Sequence, residues 1–321
     1  MARQGCRHPP RWLGIGPIVN RLAMALRTSL FLLTNLVVVA TIGLLLGLVT
    51  ALGWLPPELP LTPLLLSCFA WGAGGSWLAL QWSRQSAIQA MGVELVDGSS
   101  GPEARWLVAT VTDLAEKAGL PMPQVGIYPG REFNAFATGP GPDRALVAVS
   151  SGILTGMPAS ELEAVLGHEL SHVANGDMVT MSLLQGVVNA FVLFLARVLW
   201  LLVPSGRDEQ GRPRPPSPVL LQPLELLLGL GGSLITAGFS RHREYRADAG
   251  AARLVGTDAM VGALERLGSA AGLLEPSGRP AMDCLKIAGP SALLGLLASH
   301  PRLEDRIRAL REAQALQMAL P

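Results

Sequence analysis

Eleven consecutive residues carry the densest chemistry in this chain: His168-Glu-Leu-Ser-His172-Val-Ala-Asn-Gly-Asp-Met178. His168 and His172 are four apart, so on an α-helix both project from one face, one turn above the other. Two imidazoles so placed grip one tetrahedral Zn²⁺ and leave its other positions free. Glu169 follows the first histidine directly and cannot easily ligate the same ion. It can reach a water on an open position, which is where a metalloprotease needs its general base. Such spacings also arise by chance, in roughly one chain in a hundred of this length. Here, however, two of only five histidines fall into the pattern.

The element that must position them reads as a helix. Ser160 and Glu163 have capping-box spacing, Leu162, Leu166 and Leu170 form one apolar stripe, and Asn175-Gly176 tolerates a left-handed cap. Upstream, Leu107, Val111, Leu114 and Ala118 mark another helix, stopped by Gly119 and Pro121. Three short strands are expected between the two, at Gln124–Tyr128, Asn134–Thr138 and Ala145–Ser150. The last is apolar on both faces and is therefore expected at the centre of the sheet. A third metal ligand is offered by Ser240-Arg-His-Arg-Glu244-Tyr-Arg-Ala-Asp248-Ala-Gly, where Glu244 would sit on a helix of its own. Asp248, one turn on, shares its face and can accept a hydrogen bond from a ligand histidine. The bland alternative is a solvated helix end whose two acids balance Arg241, Arg243 and Arg246. His242 is two residues from Glu244, faces away, and reads as an interfacial cation.

Composition places these elements beside a membrane. Of 321 residues, 50% are hydrophobic and only 15% charged, against about 25% charged in soluble domains. A net charge of +1 gives no case for nucleic acid. Cys6, Cys68 and Cys284 are scattered and odd in number, which fits a reducing compartment and no disulfide framework. Residues 1–28 are basic and carry no acid, and Met24 is expected as the true start, with the stretch before it a tail. Uncharged runs from Thr28 to Pro57 and from Leu59 to Ser83 are each long enough to span a bilayer. The loop between them holds Glu58 and no Lys or Arg, while arginines flank both outer ends, so the N-terminus and everything after Arg84 are expected in the cytoplasm. Two further apolar runs, Met178–Val203 and Val219–Ser240, are interrupted by Arg197 and Glu225. Either these two charges pair within a second membrane hairpin, or the helices lie partly outside the bilayer. The Pro204–Pro218 segment between them is rich in Pro, Arg and Gly and is expected to be a disordered loop. Ligands on both sides of this region must meet at one ion, so it crosses zero or two times.

The chain resembles the HtpX-type membrane zinc metalloproteases of bacteria, relatives of the CAAX prenyl endoproteases. The matching stretches are Phe-Leu-Leu-Thr-Asn-Leu at 31–36, Asn134-Ala-Phe-Ala-Thr-Gly139, His168 to Met178, Ser240 to Gly250 and Ser299-His300-Pro301. They reach from Met24 almost to the end; the arginine-rich extension before Met24 departs from the family pattern, as does the Pro-rich loop. The resemblance implies an α+β, predominantly helical protein with two to four transmembrane helices. It implies a cytoplasmic zincin-like (gluzincin) domain with a small β-sheet, and one Zn²⁺ per chain on His168, His172 and Glu244, with Glu169 as base. The expected organisation is a basic segment 1–28, a membrane hairpin 29–84, a first protease part 85–177, a hydrophobic hairpin 178–240, and a second protease part 241–321. The implied activity is a stress-response endopeptidase of protein quality control in the bacterial inner membrane. Its implied partners are misfolded membrane proteins, the lipid bilayer and other membrane quality-control proteases.

Two further groups of residues are candidates. Asn134, Ala135, Phe136, Ala137, Thr138 and Gly139 alternate small and larger side chains and read either as an edge strand for an extended substrate or as an ordinary core strand. Attack on a peptide carbonyl also needs a donor for the developing oxyanion. By resemblance, His300 in its His-Pro motif and Arg306 six residues later line the catalytic cleft; otherwise His300 caps a helix and Arg306 is solvated. Two other classes fit less well. A zinc transporter would carry its ligands inside the spans, and a structural zinc site would fill all four positions, usually with Cys.

Overall fold

The computed structural model of this chain describes residues 61–201, 221–271 and 300–319, together with Ser29, Ala40, Gly43, Leu44, Gly47, Leu48, Ala51, Leu52, Val203, Ser217 and Val219. The basic segment 1–28, most of the first apolar run, the Pro-rich loop, Cys6 and Cys284 lie outside the described residues. In chain order the elements are α1 (Leu61–Met91), β1 (Glu94–Val96), α2 (Pro102–Lys117), β2 (Gln124–Tyr128), β3 (Ala135–Thr138), a 3₁₀ turn (Pro142–Arg144), β4 (Leu146–Ser150), α3 (Ser151–Gly156), α4 (Ala159–Asn175), α5 (Asp177–Leu201), α6 (Leu221–Val255), α7 (Thr257–Ala271) and α8 (Leu303–Ala319). The fold is thus mostly helical with one small mixed sheet. Three of these helices, α1, α5 and α6, are long and apolar enough to cross a membrane.

The sheet runs in the order β1-β2-β4-β3, with β2 and β4 parallel and the two outer pairs antiparallel. All five residues of β4 are buried, as the two-faced apolar pattern of that segment requires. Val147 and Val149 face a core built with Leu107, Val111 and Leu114 of α2, Leu162, Leu166 and Leu170 of α4, and Leu264 and Leu267 of α7. Leu146 and Ala148 face the other way, against Tyr128, Phe136 and the end of α1 at Ala87 and Met91. Each fully buried large aliphatic side chain contributes about 1.5–3 kcal/mol, so the layer carrying the histidines is held rigidly from one side. β1 has no sequence signature, being three residues with the burial pattern exposed, exposed, half-buried; it forms because β2 offers a partner.

Two boundaries differ from those expected. α4 begins at Ala159 behind Pro158, with no side-chain cap, so Ser160 lies inside the helix; the far end is as expected, with Gly176 left-handed at φ 69°. Pro158, pre-set in φ and lacking an N–H, starts the helix in place of a capping hydroxyl. Second, Glu244 is not on a separate helix. α6 runs unbroken for 35 residues from the apolar stretch through Ser240 to Val255, because no proline lies between Phe239 and Val255 and the single glycine, Gly250, costs only about 1 kcal/mol.

In the apolar layer α5 packs between α1 and α6. Gly72 of α1 sits against the main chain of Gly186 and Ala190, and a Cβ there would lie 2.6 Å from the Ala190 nitrogen. Ser182 Oγ donates to the Ser76 carbonyl at 2.9 Å across the same seam. Arg197 Nη1 donates to Glu225 Oε1 at 2.9 Å, which joins α5 to α6. The two charges that interrupt the apolar runs are therefore a pair.

Candidate metal centre

α4 and α6 bring the three expected ligands together. His168, His172 and Glu244 each offer one atom within 4.8 Å of the others. The separations are 3.1 Å between the two Nε2 atoms, 3.4 Å from His168 Nε2 to Glu244 Oε2, and 3.3 Å from His172 Nε2 to Glu244 Oε1. A tetrahedral ion with bonds of about 2.0–2.1 Å sets its ligand atoms about 3.3 Å apart, so the triad has the dimensions of three corners of a Zn²⁺ site.

The outer contacts fix which nitrogens face inward. His168 Nδ1 lies 2.9 Å from Asp248 Oδ1, and His172 Nδ1 lies 2.8 Å from Asp177 Oδ2. A carboxylate at Nδ1 keeps the proton there and leaves the Nε2 lone pair bare. Two lone pairs and a carboxylate then converge on one point, an arrangement that repels itself unless a cation or a proton lies between. Burial pushes the His168 pKa down, but Asp248 and Glu244 outweigh it and raise it to about 10. Burial opposes the charge of Glu244 as well, yet the three histidines around it hold its carboxyl well below the usual range. The donor set suits a divalent cation, which satisfies the same lone pairs that the excess proton otherwise shares.

Glu169 is buried beside the triad, and its Oε2 accepts from the main-chain N–H of Ala137 at 2.9 Å. That N–H is free to do so because of strand parity. Ser150 N–H donates to the Asn134 carbonyl, so Asn134, Phe136 and Thr138 pair with β4 while Ala135 and Ala137 turn their main-chain groups outward. β3 is an edge of the sheet, and its free side faces α4. Of the candidate strand, Asn134, Ala135 and Phe136 are buried, and Ala137 and Thr138 are half-buried. Gly139 ends the strand at φ 141°, where a Cβ would press on the Arg144–Ala145 main chain.

His300 and Arg306 both reach the centre, in different ways. His300 Nδ1 lies 2.7 Å from Glu244 Oε2, and the side chain stays 22% exposed. Arg306 is fully buried and grips Asp248 with two bonds, Nε to Oδ2 at 2.8 Å and Nη2 to Oδ1 at 2.5 Å. Burial raises the Asp248 pKa, but Arg306 and His168 overcome it and bring it to about 2. Arg306 therefore backs a histidine and has no surface to offer a substrate. Asp177 was missed in the sequence: it stands inside the motif, yet only the left-handed turn at Gly176 folds its carboxylate back to the ring.

Three comparisons bear on this geometry. The profile of peptidase family M48 matches residues 102–314. Protease HtpX of Escherichia coli (strain K12) is 43% identical over 300 residues, which cover 91% of this chain and all of that protein. Protease HtpX of Shigella boydii serotype 18 is 42% identical over the same coverage. Among solved structures, the crystal structure of S. mikatae Ste24p superposes with a TM-score of 0.51 at 21% identity. That match covers 83% of this chain and 64% of the Ste24p chain, and shows a shared fold.

Proposed function

This chain belongs to peptidase family M48 and is a membrane metalloprotease; on that premise we propose that it is a zinc-dependent endopeptidase of the bacterial inner membrane. In this reading it cuts misfolded or damaged membrane proteins at the cytoplasmic face. The observation that carries it is the convergence of His168 Nε2, His172 Nε2 and Glu244 on one point, with both Nδ1 atoms held by carboxylates.

His168, His172 and Glu244 would hold one Zn²⁺ per chain. Bound there, the ion supplies Lewis acidity for a peptide carbonyl and lowers the pKa of a water towards about 7. Glu169 is anchored through Oε2 to Ala137, which leaves Oε1 to take a proton from the attacking water and deliver it to the leaving amine nitrogen. An extended substrate would lie along the free edge of β3 and pair with the outward carbonyl of Ala137, whose N–H is held by Glu169. His300, tied at Nδ1 to Glu244, would donate to the developing oxyanion from Nε2 as the doubly protonated imidazolium. Arg306 would contribute as a positioning residue, through Asp248 and His168.

The orientation in this reading rests on the helices and the charges that flank them. Residues 85–177 and 241–321 form the two parts of the protease, joined by the hairpin 178–240. At 1.5 Å per residue, Arg197 lies about 30 Å along α5 from Asp177, close to the thickness of a bilayer core. The Arg197–Glu225 pair would then sit at the far interface and the metal centre at the near one. Arg84, Arg241 and Arg246 stand at the near end, which favours the cytoplasm by the positive-inside rule, while Arg207, Arg212 and Arg214 between α5 and α6 weigh mildly against it, offset by Asp208 and Glu209.

The test is metal analysis and casein digestion by the purified full-length chain, with and without a chelator. One zinc per chain and chelator-sensitive digestion are expected. Glu169→Gln should keep zinc and lose proteolysis, whereas His168→Ala should lose both. Near-normal cutting by Glu169→Gln would remove that residue from the mechanism.

A further inference from the structure

A second chain of contacts runs from the metal centre to the head of the membrane hairpin. Asp177 is the first residue of α5, and only Gly176 separates it from α4. Its carboxylate meets the ring of His172, and its main-chain carbonyl accepts from Arg243 Nη1 at 3.1 Å. Arg243 directly precedes Glu244 on α6, and its Nη2 reaches Ser240 Oγ at 3.3 Å. One guanidinium thus spans from the helix that carries the third ligand to the residue that aims the second. Burial lowers the pKa of this guanidinium, and the largest opposing influence is Asp177.

We propose that Asp177 and Arg243 are positioning residues of the metal centre. Asp177 sets the tautomer and plane of His172, and Arg243 fixes the main chain of Asp177 to α6, so that ligands from two different helices stay in register where both enter the membrane layer. The proposal rests on His168, His172 and Glu244 being the ligand set. It is the counterpart, on His172, of the Asp248–Arg306 brace on His168, but it is anchored between the start of α5 and α6 and not in α8.

The test measures Zn²⁺ affinity and the visible spectrum of the Co²⁺-loaded full-length protein in detergent. Removing an outer partner of a metal-bound histidine weakens metal binding about 10–100-fold, and Asp177→Ala is expected in that range. Arg243→Met should weaken binding about tenfold and shift the Co²⁺ bands, since the ring is no longer held in plane. Arg243→Lys keeps one donor for the Asp177 carbonyl and should recover most of that loss. In the Asp177→Ala background, Arg243→Met should cost little more, because both act through one ring. Additive losses, or an Arg243→Met protein with wild-type affinity and bands but a lower melting temperature, would make the arginine a packing contact and overturn the proposal. Should Arg243→Met fail to fold, Asp177→Asn and Arg243→Lys decide alone: wild-type affinity in the first, or a loss of about tenfold or more in the second, overturns it. Wild-type affinity in His172→Ala would instead sink the ligand assignment, and this proposal with it.

Discussion

Gly250→Ala should dismantle the metal centre without touching a ligand. Gly250 lies on α6 two residues past Asp248, and it faces Ser171 on α4, the residue before His172. A Cβ at position 250 would stand 2.7 Å from the Ser171 Cβ, whereas carbon atoms rest at about 3.5–4.0 Å. α4 and α6 must therefore separate by about 1 Å. Metal ligands tolerate about 0.2 Å, so the carboxylate of Glu244 would leave the reach of an ion held by the two histidines. Two opposing effects bear on stability. Alanine gains about 1 kcal/mol over glycine inside a helix, and overpacking costs about 1–3 kcal/mol. The protein should therefore fold almost normally while losing zinc.

The design of the rescue separates this account from a general defect. Ser171→Gly removes the opposing Cβ and should restore zinc to the Gly250→Ala protein. Ser171→Ala removes only the hydroxyl, which bonds the Gly167 carbonyl of its own helix, and should not. Zinc per chain after purification and the rate of casein digestion read the outcome. Wild-type zinc in Gly250→Ala, or equal rescue by Ser171→Ala and Ser171→Gly, would refute the reasoning.

Three further outcomes are expected. His300→Ala should lower kcat about 10²–10³-fold while zinc per chain stays near one; a loss of only a few-fold would return His300 to a helix-cap role. Arg306→Met leaves Asp248 buried with only the His168 ring as partner and should cost about 3–5 kcal/mol, read as a lower denaturation midpoint; Asp248→Asn added to it should recover part, and an unchanged midpoint would disprove the brace. A cysteine at Gly211 should react with a membrane-impermeant maleimide in intact cells, since α5 and α6 are read as a crossing hairpin; labelling only after lysis would mean they do not cross.

How much of this was legible in the sequence depended on how local each feature is. The His168–Glu169–His172 set needed only helical periodicity, and β4 announced its position through apolar residues on both faces. Glu244 could be picked out as a third ligand, but its element could not. The switch from Phe239 to Ser240-Arg241 looks like a helix boundary, yet polarity changes along α6 because its surroundings change, and the backbone continues. Arg306 stands in a run of charged residues that reads as solvated. It is buried because Asp248, far away in the chain, faces it. Asp177 and Arg243 owe their contacts to a left-handed glycine and to the meeting of two helices, which no single stretch of sequence encodes.

The Arg197–Glu225 pair also bears on the order in which the protein can be made. The histidines are synthesised before the hairpin, and Glu244 and His300 after it. When α5 emerges, Arg197 has no counter-charge, and in the proposed topology it would pass through the apolar layer unpaired to reach the far interface. If the hairpin crosses as proposed, α5 would settle with Glu225 of α6 beside it, and the two helices would enter the bilayer as a unit. The third ligand follows on the same unbroken helix and would come into place after that insertion. On that topology a nascent copy would carry two of the three ligands until it is anchored, and its proteolytic centre would be assembled where the finished enzyme resides.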